Sequence, residues 1–183
     1  MIAVLFPVMC YSQDKTKVSL HTIVSAGVAA GEGTAKPLAQ VAAGFHYDRF
    51  FTGIGVGMDN YHFKSIPLFA DWRMNFGNKQ SIFVFANGGY NFSYGNKDNE
   101  THFFETSNRF YGGFYFDTGL GYRFRLSSSH RLLLSAGYSQ KNITQEIGYS
   151  YPCFSPPCSV DTYKNHYNLS RITAKIAWEF GTW

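Results

Sequence analysis

Long apolar runs are missing from this 183-residue chain: nothing approaches the ~20 consecutive apolar residues that a membrane-spanning helix needs. Charge is scarce, with a net of +4, and no Lys/Arg cluster forms the basic surface that nucleic acid requires. Proline is limited to six residues against eighteen glycines, a balance that suits a strongly curved sheet better than a disordered chain. Of three cysteines, only Cys153 and Cys158 lie near one another. A zinc site would need two further ligands beside them and only His166 is close in sequence, so no metal and no cofactor is expected. What the chain has in quantity is aromatic: eighteen Phe, thirteen Tyr and three Trp, 19% of residues, a composition that favours strands. The length leaves room for one domain, and no shift in composition marks a second.

The aromatics are placed with a period of two. Phe114, Phe116, Thr118, Leu120, Tyr122 and Phe124 alternate with Tyr115, Asp117, Gly119, Gly121, Arg123 and Arg125, which puts one set on each face of a strand. The apolar face is the broad one and the other carries Gly, Asp, Arg and Lys. A soluble sandwich hides its apolar face between sheets, whereas a membrane barrel turns it to lipid and fills its interior with polar groups. The expectation is an all-β fold, an eight-stranded antiparallel up-and-down transmembrane barrel. The strands are placed at 18–30, 38–48, 50–62, 65–76, 80–95, 111–126, 131–148 and 168–180. Compact joints at Asp48-Arg49, Gly77-Asn78-Lys79 and Ser127-Ser128-Ser129-His130 alternate with longer ones at Gly31 to Pro37, Asn96 to Phe110 and Tyr149 to Tyr167. Only the joint around His62 to Lys64 breaks the rule. Short periplasmic turns and longer outer loops are what such a barrel requires.

The faces follow strand by strand. Ile66, Leu68, Ala70, Trp72, Met74 and Phe76 form one lipid stripe; Ile172, Ala174, Ile176, Trp178 and Phe180 form another; in the first strand Ile23 and Val24 compete for the outside. The interior then holds Asp59, Asp71, Asp117 and Glu179 against Arg73, Arg123, Arg125, Lys141, Arg171 and Lys175. Eight strands leave a bore that side chains just fill, and unpaired charges there would cost several kcal/mol each, so an ion-pair network is expected. That network either plugs and aligns the barrel or lines a narrow gated pore. His21 and His46 are expected in the lumen, in hydrogen bonds or ion pairs.

Residues 1–12 read as a signal peptide, with the apolar run Ile2 to Met9 and cleavage after Ser12, leaving 13–183 as a single barrel domain. A lipid anchor on Cys10, or burial of the run as a first strand, are the alternatives. Export to an oxidising compartment would let Cys153 and Cys158, flanking Pro156-Pro157, close a small disulfide.

The chain resembles the small eight-stranded outer-membrane barrels, the OmpA-type transmembrane domain and OmpX-like proteins, over nearly everything after the signal. The resemblance is carried by the Gly-rich hairpin Tyr47 to Gly57, by Ile66-Pro67-Leu68-Phe69, by Gly88-Gly89-Tyr90, and by the ending Lys175-Ile176-Ala177-Trp178-Glu179-Phe180. That ending looks like the signal read by the barrel-insertion machinery, although Gly181-Thr182-Trp183 follows it. The resemblance implies residence among the lipids of the outer membrane of a Gram-negative-type bacterium. It leaves activity open, because members range over membrane integrity, adhesion and lipid modification.

Catalysis on outer-leaflet lipid would need a base close to a hydroxyl at the outer rim. His166 and Ser170 lie near the right edge, but four strand residues separate them by about 13 Å. His62 and His102, with Glu100 and Glu105, are the other histidines placed near that rim. No catalytic residue is assigned. The polar stretch Asn96 to Arg109 around Phe103-Phe104, and the last outer loop with Tyr149, Tyr151, Phe154, Tyr163 and Tyr167, are the candidates for contact with an extracellular ligand or surface. The expectation is a monomeric, non-enzymatic envelope barrel with interacting loops, against a lipid-modifying enzyme, a narrow pore or a soluble lipocalin-like barrel.

Overall fold

Strands form wherever the chain alternates in polarity, and they close on themselves. A computed structural model of the protein describes residues 18–31, 33–60, 64–77, 80–93, 105–150 and 160–181. The strands are β1 (Ser19–Gly31), β2 (Thr34–Tyr47), β3 (Phe50–Asp59), β4 (Ser65–Phe76), β5 (Ile82–Ser93), β6 (Glu105–Tyr111), β7 (Gly113–Arg125), β8 (His130–Ser150) and β9 (Val160–Gly181). All pairings are antiparallel. They run in sequence from β1 to β5, then β5 to β7, β7 to β8, β8 to β9, and back from β9 to β1. The wall is therefore a closed barrel of eight strands without a sheet edge.

The ninth segment, β6, is an upward continuation of β7, pairing with the upper part of β8. Tyr111 faces Thr144 and Tyr115 faces Lys141, so four steps on one strand oppose three on the other. This is a bulge. Gly112 sits within it, where a Cβ would lie 1.7 Å from the Asn91 carbonyl oxygen; only glycine fits. At the opposite end Asp48 turns the β2–β3 hairpin with φ of 49°, a left-handed conformation that Asp tolerates in tight turns.

The faces divide as the alternation requires. Trp72 and Ile176 are 53% and 50% exposed on the outside, while Asp71, Lys141 and Glu179 are fully buried inside. On β9 the uncharged outward stripe runs from Ile172 to Phe180, about 27 Å along the strand, and about 21 Å along the normal at a tilt near 40°. That height matches a bilayer's apolar band. The contest in the first strand goes to Val24, which is exposed; Ile23 is buried in the bore.

Three expected connections contain strand instead. Gly31 and Thr34 pair across a tight turn, so the stretch Gly31 to Pro37 is a hairpin tip, because alternation on β2 begins at Thr34. Glu105 to Phe110, placed in a loop by its polarity, belongs to β6 (Glu105–Tyr111). Most of Tyr149 to Tyr167 is paired: β8 runs up to Ser150 and β9 starts at Val160. Polar outward residues do not end a strand that has left the membrane, since its ladder bonds are the same in water. The expected signal peptide, His62, His102, Phe103, Phe104, Cys153 and Cys158 fall outside the described residues.

Candidate functional site

Strand registers stack the inward side chains in layers, charged layers alternating with apolar ones. Nearest the short turns, Glu179 is held between His21, whose Nδ1 lies 3.1 Å from Oε1, and Arg123, whose Nε lies 3.2 Å from Oε2. His21 Nε2 lies 2.9 Å from Ser19 Oγ. The His21 ring stacks on His46 at 5.1 Å, and Asn75 Nδ2 is 3.2 Å from His46 Nε2. Gly181 leaves room for that imidazole, since a Cβ there would meet it at 2.5 Å. Arg131, also buried, pairs with Glu179 in strand register.

Above this layer Ile23, Phe51, Phe83, Phe85, Leu133 and Ala177 form an apolar cluster across the bore. The next charged layer rests on it. Arg73 donates to both oxygens of Asp71 at 2.7 to 3.1 Å, and its guanidinium lies over Phe51 and Phe83 at 5.7 and 5.8 Å. Lys175 donates to Asp117 at 2.5 Å and sits 4.3 Å over the Phe85 ring. A cation over an aromatic face in a desolvated site gains about 2 kcal/mol, so the aromatics complement the cations as well as fill space. Thr173 and Tyr115 hydroxyls also donate to Asp117, and Gln40 Nε2 donates to the Tyr115 oxygen at 2.8 Å.

Ala42, Phe69 and Tyr115 make a second apolar cluster. Over it, Asp59 accepts from Lys141 at 3.3 Å and from Arg171. Lys141 also donates to Ser65 at 3.1 Å and Arg171 to Ser139 at 3.1 Å. Ile143 and Leu169, with Phe110 and Tyr167 against them, then lie over the mouth.

Of the ten charged residues expected inside, Asp59, Asp71, Arg73, Asp117, Arg123, Lys141, Arg171, Lys175 and Glu179 take part in these ion pairs. Arg125 does not belong to the core: it is exposed beside the Ser127–Ser129 turn, where the bore opens and water solvates it. Sequence reasoning missed Arg131, although it shares parity with Leu133. It also missed the apolar layers, whose sign is the unbroken Phe83-Val84-Phe85, apolar on both faces. His21 and His46 are lumenal. His166 and Ser170 are not brought together: His166 is bonded to Thr144 at 3.0 Å, and Ser170 accepts from Tyr138 at 2.8 Å.

At the far end the β8–β9 hairpin leaves the barrel. From Ser170 to Val160 it rises about 34 Å along the strand, with β6 on its flank as a three-stranded sheet. Its outward face is polar, with Gln140–Asn168 at 2.7 Å and Lys164–Glu146 at 3.6 Å. Tyr149 and Tyr163 meet edge to face on its other side.

No family model and no curated protein sequence matches the chain. Solved structures that share its architecture include two from Pseudomonas aeruginosa. The outer membrane protein OprG from Pseudomonas aeruginosa superposes with a TM-score of 0.60 at 11% identity, covering 91% of this chain and 96% of OprG. The N-terminal β-barrel domain of Pseudomonas aeruginosa OprF gives 0.52 at 11% identity, covering 89% and 96%. Identity this low carries the fold alone. With a closed ring of eight strands, an uncharged belt outside and paired charges inside, the fold is that of the small eight-stranded outer-membrane β-barrels.

Proposed function

We propose that the protein is a monomeric barrel of the outer membrane of a Gram-negative-type bacterium whose role at the outer surface is structural and non-enzymatic. Its lumenal network locks the wall, and its β6–β8–β9 sheet is displayed outward for contact with an extracellular ligand or surface. The short turns then face the periplasm. The β9 ending Ile176-Ala177-Trp178-Glu179-Phe180 serves recognition by the barrel-insertion machinery, and the uncharged belt is solvated by outer-membrane lipid.

The observation that carries this reading is the length of the β8–β9 hairpin past the apolar belt. Extending a ladder beyond the bilayer adds nothing to membrane anchoring, and an ordered sheet loses less conformational entropy on binding than a free loop does. A disulfide between Cys153 and Cys158, which lie in the sequence between β8 and β9, would strengthen that effect. Thr144 and His166 face each other in the ladder, so residues 145–165 can be replaced by a short turn. The shortened variant is expected to keep heat-modifiable gel migration while cells displaying it lose attachment to matrix-coated or cell-coated surfaces. Equal attachment by both forms would reject the interaction role. In planar bilayers the intact protein is expected to give no steady conductance, because apolar and ion-paired layers fill the bore; a sustained open current would favour a pore instead.

A further inference from the structure

The layer nearest the periplasm contains a chemical series that the proposed role does not use. Ser19 and His21 are two residues apart on β1 and therefore share its inward face. His21 reaches Ser19 Oγ through Nε2 at 2.9 Å and Glu179 Oε1 through Nδ1 at 3.1 Å. An ionised carboxylate accepts hydrogen bonds and cannot donate them, so the His21 proton belongs on Nδ1. In the neutral ring Nε2 is then the acceptor, and the Ser19 hydroxyl donates to it. This is the connectivity of a nucleophile, a general base and an orienting carboxylate.

The surroundings hold the series in place. The imidazole is fixed between Gly181, where any Cβ would collide with it, and the stacked His46 ring. Arg123 Nε lies 3.2 Å from the second oxygen of Glu179, an ion pair that favours the carboxylate orientation facing Nδ1. His21 and Glu179 are fully buried while Ser19 is half-buried at the mouth. Ser19 is therefore the member of the series nearest to solvent.

We propose that Ser19, His21 and Glu179 form a hydrolytic triad at the periplasmic mouth, acting on small carboxylic esters that enter from that side. The limit on size follows from the narrow bore of an eight-stranded barrel. Ser19 Oγ bonds to the ester carbonyl carbon as its proton passes to His21 Nε2. The tetrahedral adduct collapses by breaking the bond to the alcohol oxygen, which leaves with the proton from Nε2. Water then gives a proton to Nε2 and its oxygen bonds to the acyl carbon. Release of the carboxylic acid returns the proton to Ser19 Oγ. Ser19 is the nucleophile and His21 the base; Glu179 is a positioning residue. The site lies at the opposite end from the displayed sheet, so its failure leaves the reading of that sheet intact.

The test uses the full chain, purified in detergent and verified by heat-modifiable migration. An alkyl fluorophosphonate is expected to label Ser19, located by peptide mass spectrometry, and p-nitrophenyl acetate or butyrate to be hydrolysed above the protein-free rate. Ser19→Ala should abolish labelling and reduce the protein-dependent rate at least about 100-fold, and His21→Asn should do the same. Ser19→Ala keeps the test decisive if His21→Asn disturbs folding, because the serine sits at the mouth and supports no layer above it. A folded wild-type protein without label on Ser19 overturns the proposal, as does Ser19→Ala hydrolysing at the wild-type rate.

Discussion

Asp59 holds two cations, Lys141 and Arg171, within a bore that excludes most water. Buried pairs of this kind are weak evidence for net stabilisation, because desolvation offsets much of the attraction. Removing one member is a different matter, since the two cations left behind are out of water and have lost the carboxylate that balanced their charge. Asp59→Ala is therefore expected to destabilise the barrel by about 3–5 kcal/mol, read as a lower urea midpoint for unfolding in detergent or liposomes. Lys164→Ala, whose pairing with Glu146 is largely exposed, should change that midpoint by no more than about 0.5 kcal/mol. Equal effects from the two would contradict the layered lumen. Gly55 belongs to the same scale: a Cβ there would meet the Phe69 ring at 2.5 Å, so its small size is what admits that aromatic layer.

At the scale of elements, the bulge at Gly112 separates two duties of one wall strand. Below it β7 closes the barrel between β5 and β8; above it β6 pairs with β8 alone, in the displayed sheet. Gly112→Ala places a methyl against the Asn91 carbonyl, a clash expected to cost about 1–3 kcal/mol. The strain should fall on β6, which has the shorter ladder. Faster tryptic cleavage at Arg109, with heat-modifiable migration of the barrel retained, is the expected result; cleavage at the wild-type rate would mean that the bulge does not depend on glycine.

For the whole molecule, orientation in lipid follows from the inside-out arrangement of its faces. Ile176 lies midway along the uncharged stripe of β9 and is half exposed. Ile176→Lys is expected to cost about 2–4 kcal/mol of folding stability in bilayers, the penalty for a cation at the midplane of a barrel's lipid face. The same change in a protein with a water-facing exterior would cost almost nothing. Trp72 and Trp178, both on the outside, should have their fluorescence quenched by lipids brominated on the acyl chains. Unquenched emission would place the belt out of the membrane.

The period of two, the uncharged outward stripes and the Asp48-Arg49 turn were enough to determine the fold, the strand count of the wall, and most of its charged interior, because a strand's two faces are a local property of the chain. Where polarity alone was the guide, it misled: the stretches 105–110 and 160–167 are as polar as loops, yet they are strands, since ladder bonding above the bilayer does not need an apolar face. Which of Ile23 and Val24 points outward depends on the register with β2 and β9, and that only closure of the ring decides. The same is true of Phe51, Phe83 and Phe85, whose inward layer satisfies Arg73 and Lys175 across the bore. The series from Ser19 through His21 to Glu179 joins residues up to 160 positions apart, a meeting that exists only because the last strand returns to pair with the first.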